Sequence, residues 1–161
     1  MENRAVFLDR DGTINVEVNY LRNPDDLRLL PGVAEGIKLL RDSGFLVIVV
    51  TNQSAVARGF CDERTIRDIH LRLQNELIKS GAYIDHIYYC PHHPIVGPLE
   101  YRRDCDCRKP KPGMLIRASA DHDIDLGVSY LVGDRLIDIE AGKNAGCRSI
   151  LVLTGYGKEE I

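Results

Sequence analysis

The chain has 161 residues, is 44% hydrophobic and carries a formal net charge of −3. That balance fits one domain with a full core and gives no global attraction to nucleic acid or to anionic lipid, so any anion site must be local. No apolar stretch reaches membrane-spanning length, and Met1-Glu2-Asn3-Arg4 runs into the first strand without a leader segment; a single cytoplasmic domain, engaging neither membrane nor nucleic acid, is expected.

Ala5-Val6-Phe7-Leu8 is continuously apolar and reads as a strand of a parallel sheet buried on both faces. Asp9-Arg10-Asp11-Gly12-Thr13 follows at its carboxyl end, the edge on which open α/β sheets bind ligands. If the chain leaves the strand at once, as Gly12 permits, Asp9 and Asp11 both face one site. That pair suits a nucleophile and a proton donor: one carboxylate attacks phosphorus while the second protonates the leaving oxygen and later activates water. Acid pairs at turns also serve as capping or solvated groups, so the rest of the chain must decide.

The stretch from Ile14 to Leu30 is irregular, with a turn at Asn23-Pro24-Asp25-Asp26, and could fold over the site. Pro31 opens a helix to about Asp42, with Val33, Ile37 and Leu40 on one face and Gly44 beyond its end. Phe45–Val50 is a second buried strand. At its end Thr51 and Asn52 suit the non-bridging oxygens of a phosphoryl group, although both also form turns. Asp62 caps a helix to about Ser80, with Ile66, Ile69, Leu73 and Leu77 in one stripe. A strand over Ile84–Tyr89, a loop over 90–109 and a helix from Pro112 to about Asp121 follow. Tyr130-Leu131-Val132 is the fourth strand, Leu136 to Ala145 a helix, and Ser149–Leu153 the fifth strand. Strands alternating with helices, without internal repeats, indicate a doubly wound parallel sheet, a Rossmann-like α/β fold.

Five cysteines, an odd count, point to metal or thiol chemistry rather than a disulfide framework. Cys90, His92, Cys105 and Cys107 form a ligand set for tetrahedral structural Zn²⁺; a Cys90–Cys105 disulfide is the alternative. With four protein ligands such a metal is a staple for the neighbouring Arg108 and Lys109, not a catalyst. His93 then reads as a loop residue, and Cys61 and Cys147 as packed thiols. In Arg108-Lys109-Pro110-Lys111-Pro112-Gly113 two prolines stiffen a cationic segment, which suits a phosphate clamp. An exposed basic turn, or with Arg102 and Arg103 a small nucleic-acid patch, are the alternatives. Asp134, after the fourth strand, either caps the next helix or joins Asp9 in the oxygen-rich site that Mg²⁺ prefers, with Asp138 in support. Arg135 is a second candidate cation for substrate.

Taken together, Asp9-x-Asp11-Gly12-Thr13, Thr51, Lys109-Pro110-x-Pro112 and Gly133-Asp134 resemble the four ordered motifs of the haloacid-dehalogenase (HAD) superfamily of phosphatases, across nearly the whole chain. Cys90-Pro91-His92-His93-Pro94 and Cys105-Asp106-Cys107-Arg108-Lys109-Pro110 resemble the loop of its zinc-bearing members. The resemblance implies a HAD-type sheet without a large cap domain and Mg-dependent hydrolysis of a sugar phosphate through an aspartyl-phosphate. It implies Asp9 as nucleophile and Mg²⁺ ligand, Asp11 as acid/base with its carbonyl on the metal, Asp134 as the remaining ligand, and Thr51 and Lys109 as stabilisers of the phosphoryl group. Arg108 recognises substrate in this scheme, and Glu17, Val18, Asn19 and Tyr20 with Asn52, Gln53 and Ser54 form the sugar pocket. Arg135 stands where some relatives carry Lys, which keeps the charge but changes the geometry. Twelve residues separate His92 from Cys105. Among the zinc-bearing members the resemblance is to those with a longer segment here, and it implies removal of the 7-phosphate from D-glycero-D-manno-heptose 1,7-bisphosphate rather than hydrolysis of histidinol phosphate; a small-molecule substrate and a monomeric enzyme are expected. Longer relatives carry a further strand and helix beyond Thr154-Gly155-Tyr156-Gly157, for which only four residues remain here.

Overall fold

Five parallel strands form one sheet in the computed structural model, which describes residues 2–161: β1 (Ala5–Leu8), β2 (Leu46–Asn52), β3 (His86–Cys90), β4 (Tyr130–Gly133) and β5 (Arg148–Leu151). Their spatial order is β3-β2-β1-β4-β5, which puts the first strand at the centre. It pairs Ala5 with Leu46 on one side and Val6 with Tyr130 on the other. The apolar run follows from that position. Val6 and Leu8 enter one core while Ala5 and Phe7 enter the other, so neither face of β1 meets water.

Helices α1 (Val33–Asp42) and α2 (Glu63–Ile78) cover the Val6 face through Ala34, Ile37, Ile69, Leu73 and Leu77. On the Phe7 face lie α3 (Gly113–His122) and α4 (Leu136–Ala145), with Met114, Leu115, Ala118 and Ala141 inserted. Asp62 accepts the N–H of Thr65 and caps α2 as its residue type predicts. The doubly wound reading therefore holds, and no large cap is present among the described residues.

Differences from the sequence reading lie at element ends. β3 begins at His86, not Ile84: at Asp85 the backbone N–H still reaches Val47 O, but the Val47 N–H is taken by the Asp85 carboxylate, which also pairs with Arg41, rather than by a backbone carbonyl. β5 covers Arg148–Leu151 and, as an edge strand, is only half-buried. Short 3-10 turns at Pro24–Asp26 and Leu126–Val128 and a last helix, α5 (Gly157–Glu160), carry no hydrophobic period and escape a pattern-based reading. Within 14–30 the chain is irregular, but Ile14, Leu21 and Leu27 are buried and anchor it to the sheet.

Candidate active site

The carboxyl ends of β1, β2 and β4 converge, and each delivers a polar residue at the end of a buried apolar run. Asp9 follows β1, Thr51 is the last residue but one of β2 and Asp134 follows β4. A cavity of ≈ 260 Å³ opens on this edge. Of the residues expected there, Asp9, Asp11, Glu17, Asn19, Tyr20, Thr51, Asn52, Gln53, Ser54, Arg108, Lys109 and Arg135 line it. Asp134 is fully buried beside it. Val18 turns outward, 45% exposed, into a neighbouring depression that it shares with Arg22 and Arg28.

Lys109 organises the floor. Its ammonium, 1% exposed, donates to Asp9 Oδ1 at 2.8 Å and to Asp138 Oδ1 at 2.6 Å. Burial alone would lower the lysine pKa, but the two carboxylates outweigh it and raise the value, so the group stays charged. Asp138 is fixed in turn, because its other oxygen accepts the N–H of Arg135 at the start of α4. Asp9 sits in the most demanding place: burial, and then the neighbouring Asp138 and Asp11, push its pKa up against the pull of Lys109.

Asp11 has the opposite environment. Burial would raise its pKa, yet the Arg10 guanidinium and the amides of Asn15 and Gln53 hold it below the usual carboxylate range. Arg10 donates from Nη2 to both Asp11 oxygens, at 2.9 and 3.0 Å, and Gln53 and Asn15 each donate at 3.0 Å. Arg10 is itself completely buried, and its Nη1 lies 3.0 Å from His70 Nε2. A guanidinium only donates, so His70 must accept there and carries its proton on Nδ1. Burial lowers the pKa of His70 to about 3, consistent with a neutral ring facing a cation.

Neither Arg10 nor His70 was marked as a site residue by sequence. Arg10 could have been, as a lone charge between two acids where the chain leaves a buried strand; His70 offers no signal, being one residue of the α2 stripe. Arg58, Ile137 and Tyr156 also line the cavity without having been expected.

Among the described residues, two groups of side chains can hold a metal. Asp9, Asp134 and Asp138 bring carboxylate oxygens within 4.8 Å of one another. With Asp138 engaged by Lys109 and α4, Asp9 and Asp134 are the available ligands. Asp134 Oδ1 is buried without any hydrogen-bond partner, whereas Oδ2 accepts from Tyr156 N at 2.9 Å. An orphaned carboxylate oxygen among further hard oxygens fits a divalent cation such as Mg²⁺. Gly12, at φ 84, lets the chain pass this carboxylate; a Cβ there would lie 2.2 Å from Asp134 Oδ2.

The second group is Cys90, His92, Cys105 and Cys107. All are free thiols or imidazole, so no disulfide forms. Sulfur pairs are 3.5 and 3.4 Å apart and the His92 Nδ1 distances are 3.6 and 3.4 Å. A tetrahedral zinc about 2.3 Å from each sulfur requires edges of about 3.8 Å, so the four atoms stand close to the needed cage. The cluster lies directly before Arg108 and Lys109, and Arg108 Nη1 donates to His92 O at 3.2 Å.

Comparison with known proteins adds four findings. The HAD-hydrolase-like family model matches residues 106–161. The chain is 45% identical over 157 residues to the D-glycero-beta-D-manno-heptose-1,7-bisphosphate 7-phosphatase of Haemophilus ducreyi, covering 96% of this chain and 86% of that protein. The protein of the same function from Escherichia coli (strain K12) is 44% identical over 94% of this chain and 80% of its own length. Among solved structures, the D,D-heptose 1,7-bisphosphate phosphatase of B. bronchiseptica, complexed with magnesium and phosphate, superposes with a TM-score of 0.88 at 37% identity. That match covers 97% of this chain and 84% of the other.

Proposed function

This chain belongs to the heptose-1,7-bisphosphate 7-phosphatases of the HAD hydrolase superfamily, and from that membership we propose that it hydrolyses the 7-phosphate of D-glycero-D-manno-heptose 1,7-bisphosphate. The observation that carries the reading is the placing of two carboxylates, two residues apart, at one cavity: Asp9 beside buried Lys109, and Asp11 held by Arg10, Asn15 and Gln53.

In the proposed reaction the Asp9 oxygen not engaged by Lys109 attacks phosphorus, and the bond to the sugar oxygen breaks. Asp11, which Arg10, Asn15 and Gln53 keep ionised in the free site, would take up a proton as the phosphate enters and then give it to that oxygen. A water then attacks the aspartyl-phosphate, its proton passes to Asp11, and the cleaved acyl-phosphate bond returns Asp9 as a carboxylate with release of inorganic phosphate. Thr51 and Lys109 offer a hydroxyl and a fixed cation to the phosphoryl oxygens, which costs no reorganisation as charge develops. Asp9, Asp134 and the Asp11 carbonyl would hold Mg²⁺, which when bound supplies charge compensation to a carboxylate approaching a phosphate dianion. Cys90, His92, Cys105 and Cys107 would hold a structural Zn²⁺ that stiffens the segment ending in Lys109. Glu17, Asn19, Tyr20, Asn52, Gln53, Ser54, Arg108 and Arg135 would meet the sugar and its distal phosphate.

The same reading has the 161 residues acting as a single domain and a monomer, in the cytoplasm, on a free metabolite. In support, no helix among the described residues is long and apolar enough to cross a membrane. The test is phosphate release with and without Mg²⁺ from the heptose bisphosphate and from histidinol phosphate. Mg-dependent turnover that strongly favours the bisphosphate, and that falls at least about 10³-fold in Asp9→Asn, is expected. Equal or better turnover of histidinol phosphate would overturn the substrate, and undiminished activity in Asp9→Asn would overturn the chemistry.

A further inference from the structure

The cavity holds one cation that no motif singled out. Arg58 sits in the turn after β2, half-buried, with its N–H on Ser54 O at 2.9 Å and its guanidinium 5.3 Å from the centre of the Tyr20 ring. Arg108 lines the same cavity from the loop after β3, also half-buried. Among the described residues neither guanidinium has a carboxylate partner. Two unpaired guanidiniums on one wall, in a chain of net charge −3, are a local excess of positive charge facing the cavity. The other candidate, Arg135, differs on each point. Its side chain is 51% exposed, it reaches Glu160 at 3.5 Å and it lies over Tyr156.

The two segments are packed as one wall. Gly97 of the 90–109 loop rests against the backbone of Ala57, the residue before Arg58, so closely that a Cβ at 97 would fall 2.2 Å from Ala57 O. The sheet order places this wall on the β2 and β3 side of Asp9, whereas Arg135 follows β4 on the other side.

We propose that Arg58 and Arg108 together bind the distal, non-reacting phosphate of the substrate and that Arg58 is a specificity-determining residue for bisphosphates. The inference rests on the phosphatase reading above and deepens it. Guanidiniums suit the task because each presents a planar fork to phosphate oxygens, and the Tyr20 ring together with Ser54 Oγ, 3.4 Å from Arg58 Nε, positions the Arg58 group while its terminal nitrogens keep no hydrogen-bond partner among the described residues. The reacting phosphate is served instead by Lys109, whose ammonium is committed to the floor. Sugar and distal phosphate would then extend from Asp9 toward the turn at 54–59 and the zinc-type loop, between Tyr20 and Arg108.

The experiment compares kcat/KM for heptose 1,7-bisphosphate and for p-nitrophenyl phosphate, which lacks a distal phosphate, in wild type, Arg58→Ala, Arg58→Lys and Arg135→Ala, each checked for folding by its thermal transition. Losing a charge-assisted contact should lower the bisphosphate-to-monophosphate ratio about 10- to 100-fold in Arg58→Ala, with partial recovery in Arg58→Lys and a smaller change in Arg135→Ala. The loss should fall mainly on KM for the bisphosphate, which a general loosening of the site would not produce. A wild type without preference for the bisphosphate would overturn the substrate reading and this inference with it. A wild type that has the preference, and an Arg58 pair of variants that keep it within about threefold, would overturn this inference alone.

Discussion

Replacing Lys109 by Met removes the cation that two buried carboxylates share while nearly preserving volume. Orphaning the partners of a buried ion pair costs about 3–5 kcal/mol. Here the lower end applies, because burial already raises the pKa of Asp9 and that carboxyl can take up a proton when its partner is gone. At about 3 kcal/mol, and about 2–4 °C per kcal/mol for a chain of this size, the melting temperature should fall by about 6–12 °C in chelator. A divalent cation bound by Asp9 and Asp134 would offset the same repulsion, so the gap between wild type and variant should narrow in saturating Mg²⁺. Turnover should still drop by about 10²–10³-fold, since the transferring phosphoryl group loses its fixed positive charge. Urea denaturation in EDTA and in Mg²⁺, with steady-state rates, measures all three. A variant within about 1 kcal/mol of wild type in EDTA would refute the view that Lys109 neutralises the floor.

Three other perturbations test separate parts. The folded-state pKa of His70 lies near 3 and the unfolded value near 6.5, so the unfolded chain gains a proton first and stability should fall as pH drops below 6.5, by about 1.4 kcal/mol per unit; His70→Gln should flatten that limb, and parallel wild-type and variant curves from pH 6.5 to about 5 would contradict it. In Cys105→Ser, zinc measured by elemental analysis should fall from one ion per chain toward none, with a lower kcat as Arg108 and Lys109 lose their anchor; absence of zinc from reduced wild type would end the staple idea. Gly12→Ala should cost at least about 1–2 kcal/mol from its left-handed backbone alone and weaken Mg²⁺ binding by displacing Asp134, which isothermal titration would detect; unchanged Mg²⁺ affinity in a folded variant would argue against Asp134 as a ligand.

Much of this was legible in the residues, for a definable reason. A parallel sheet buried on both faces writes its strands as apolar runs, and the polar residue that ends each run marks the ligand edge, so the amino-acid order alone suffices to place Asp9, Thr51 and Asp134. The thiol and imidazole cluster was legible because few other uses explain such spacing. What stayed hidden was set by contacts distant in sequence. The role of Asp138 as partner of Lys109 depends on a 29-residue separation, and the burial of Arg10 depends on His70, 60 residues away. Arg58 was hidden by its setting in a turn. Val18 was grouped with its neighbours by adjacency, yet Asn19 and Tyr20 adopt positive φ values of 55° and 68°, and this bend separates their direction from that of Val18.

Because β1 is the central strand, Asp9 is synthesised before the other strand-end residues of the proposed site, yet the site is complete only once β2, β4 and the segments beyond them are in place. Asp9 needs β2 on one flank and β4 on the other, and its cation, Lys109, lies 100 residues further on. Closure comes later still: Thr154 donates to Gly12 O at 2.6 Å, and the Tyr156 N–H holds Asp134. Pairings of such sequence separation form slowly and late, since loop closure must precede the contacts that reward it. A nascent chain that stops short of β4 therefore carries Asp9 without Asp134 or Asp138, and under the proposed roles it stays chemically silent until β4 and α4 have been made.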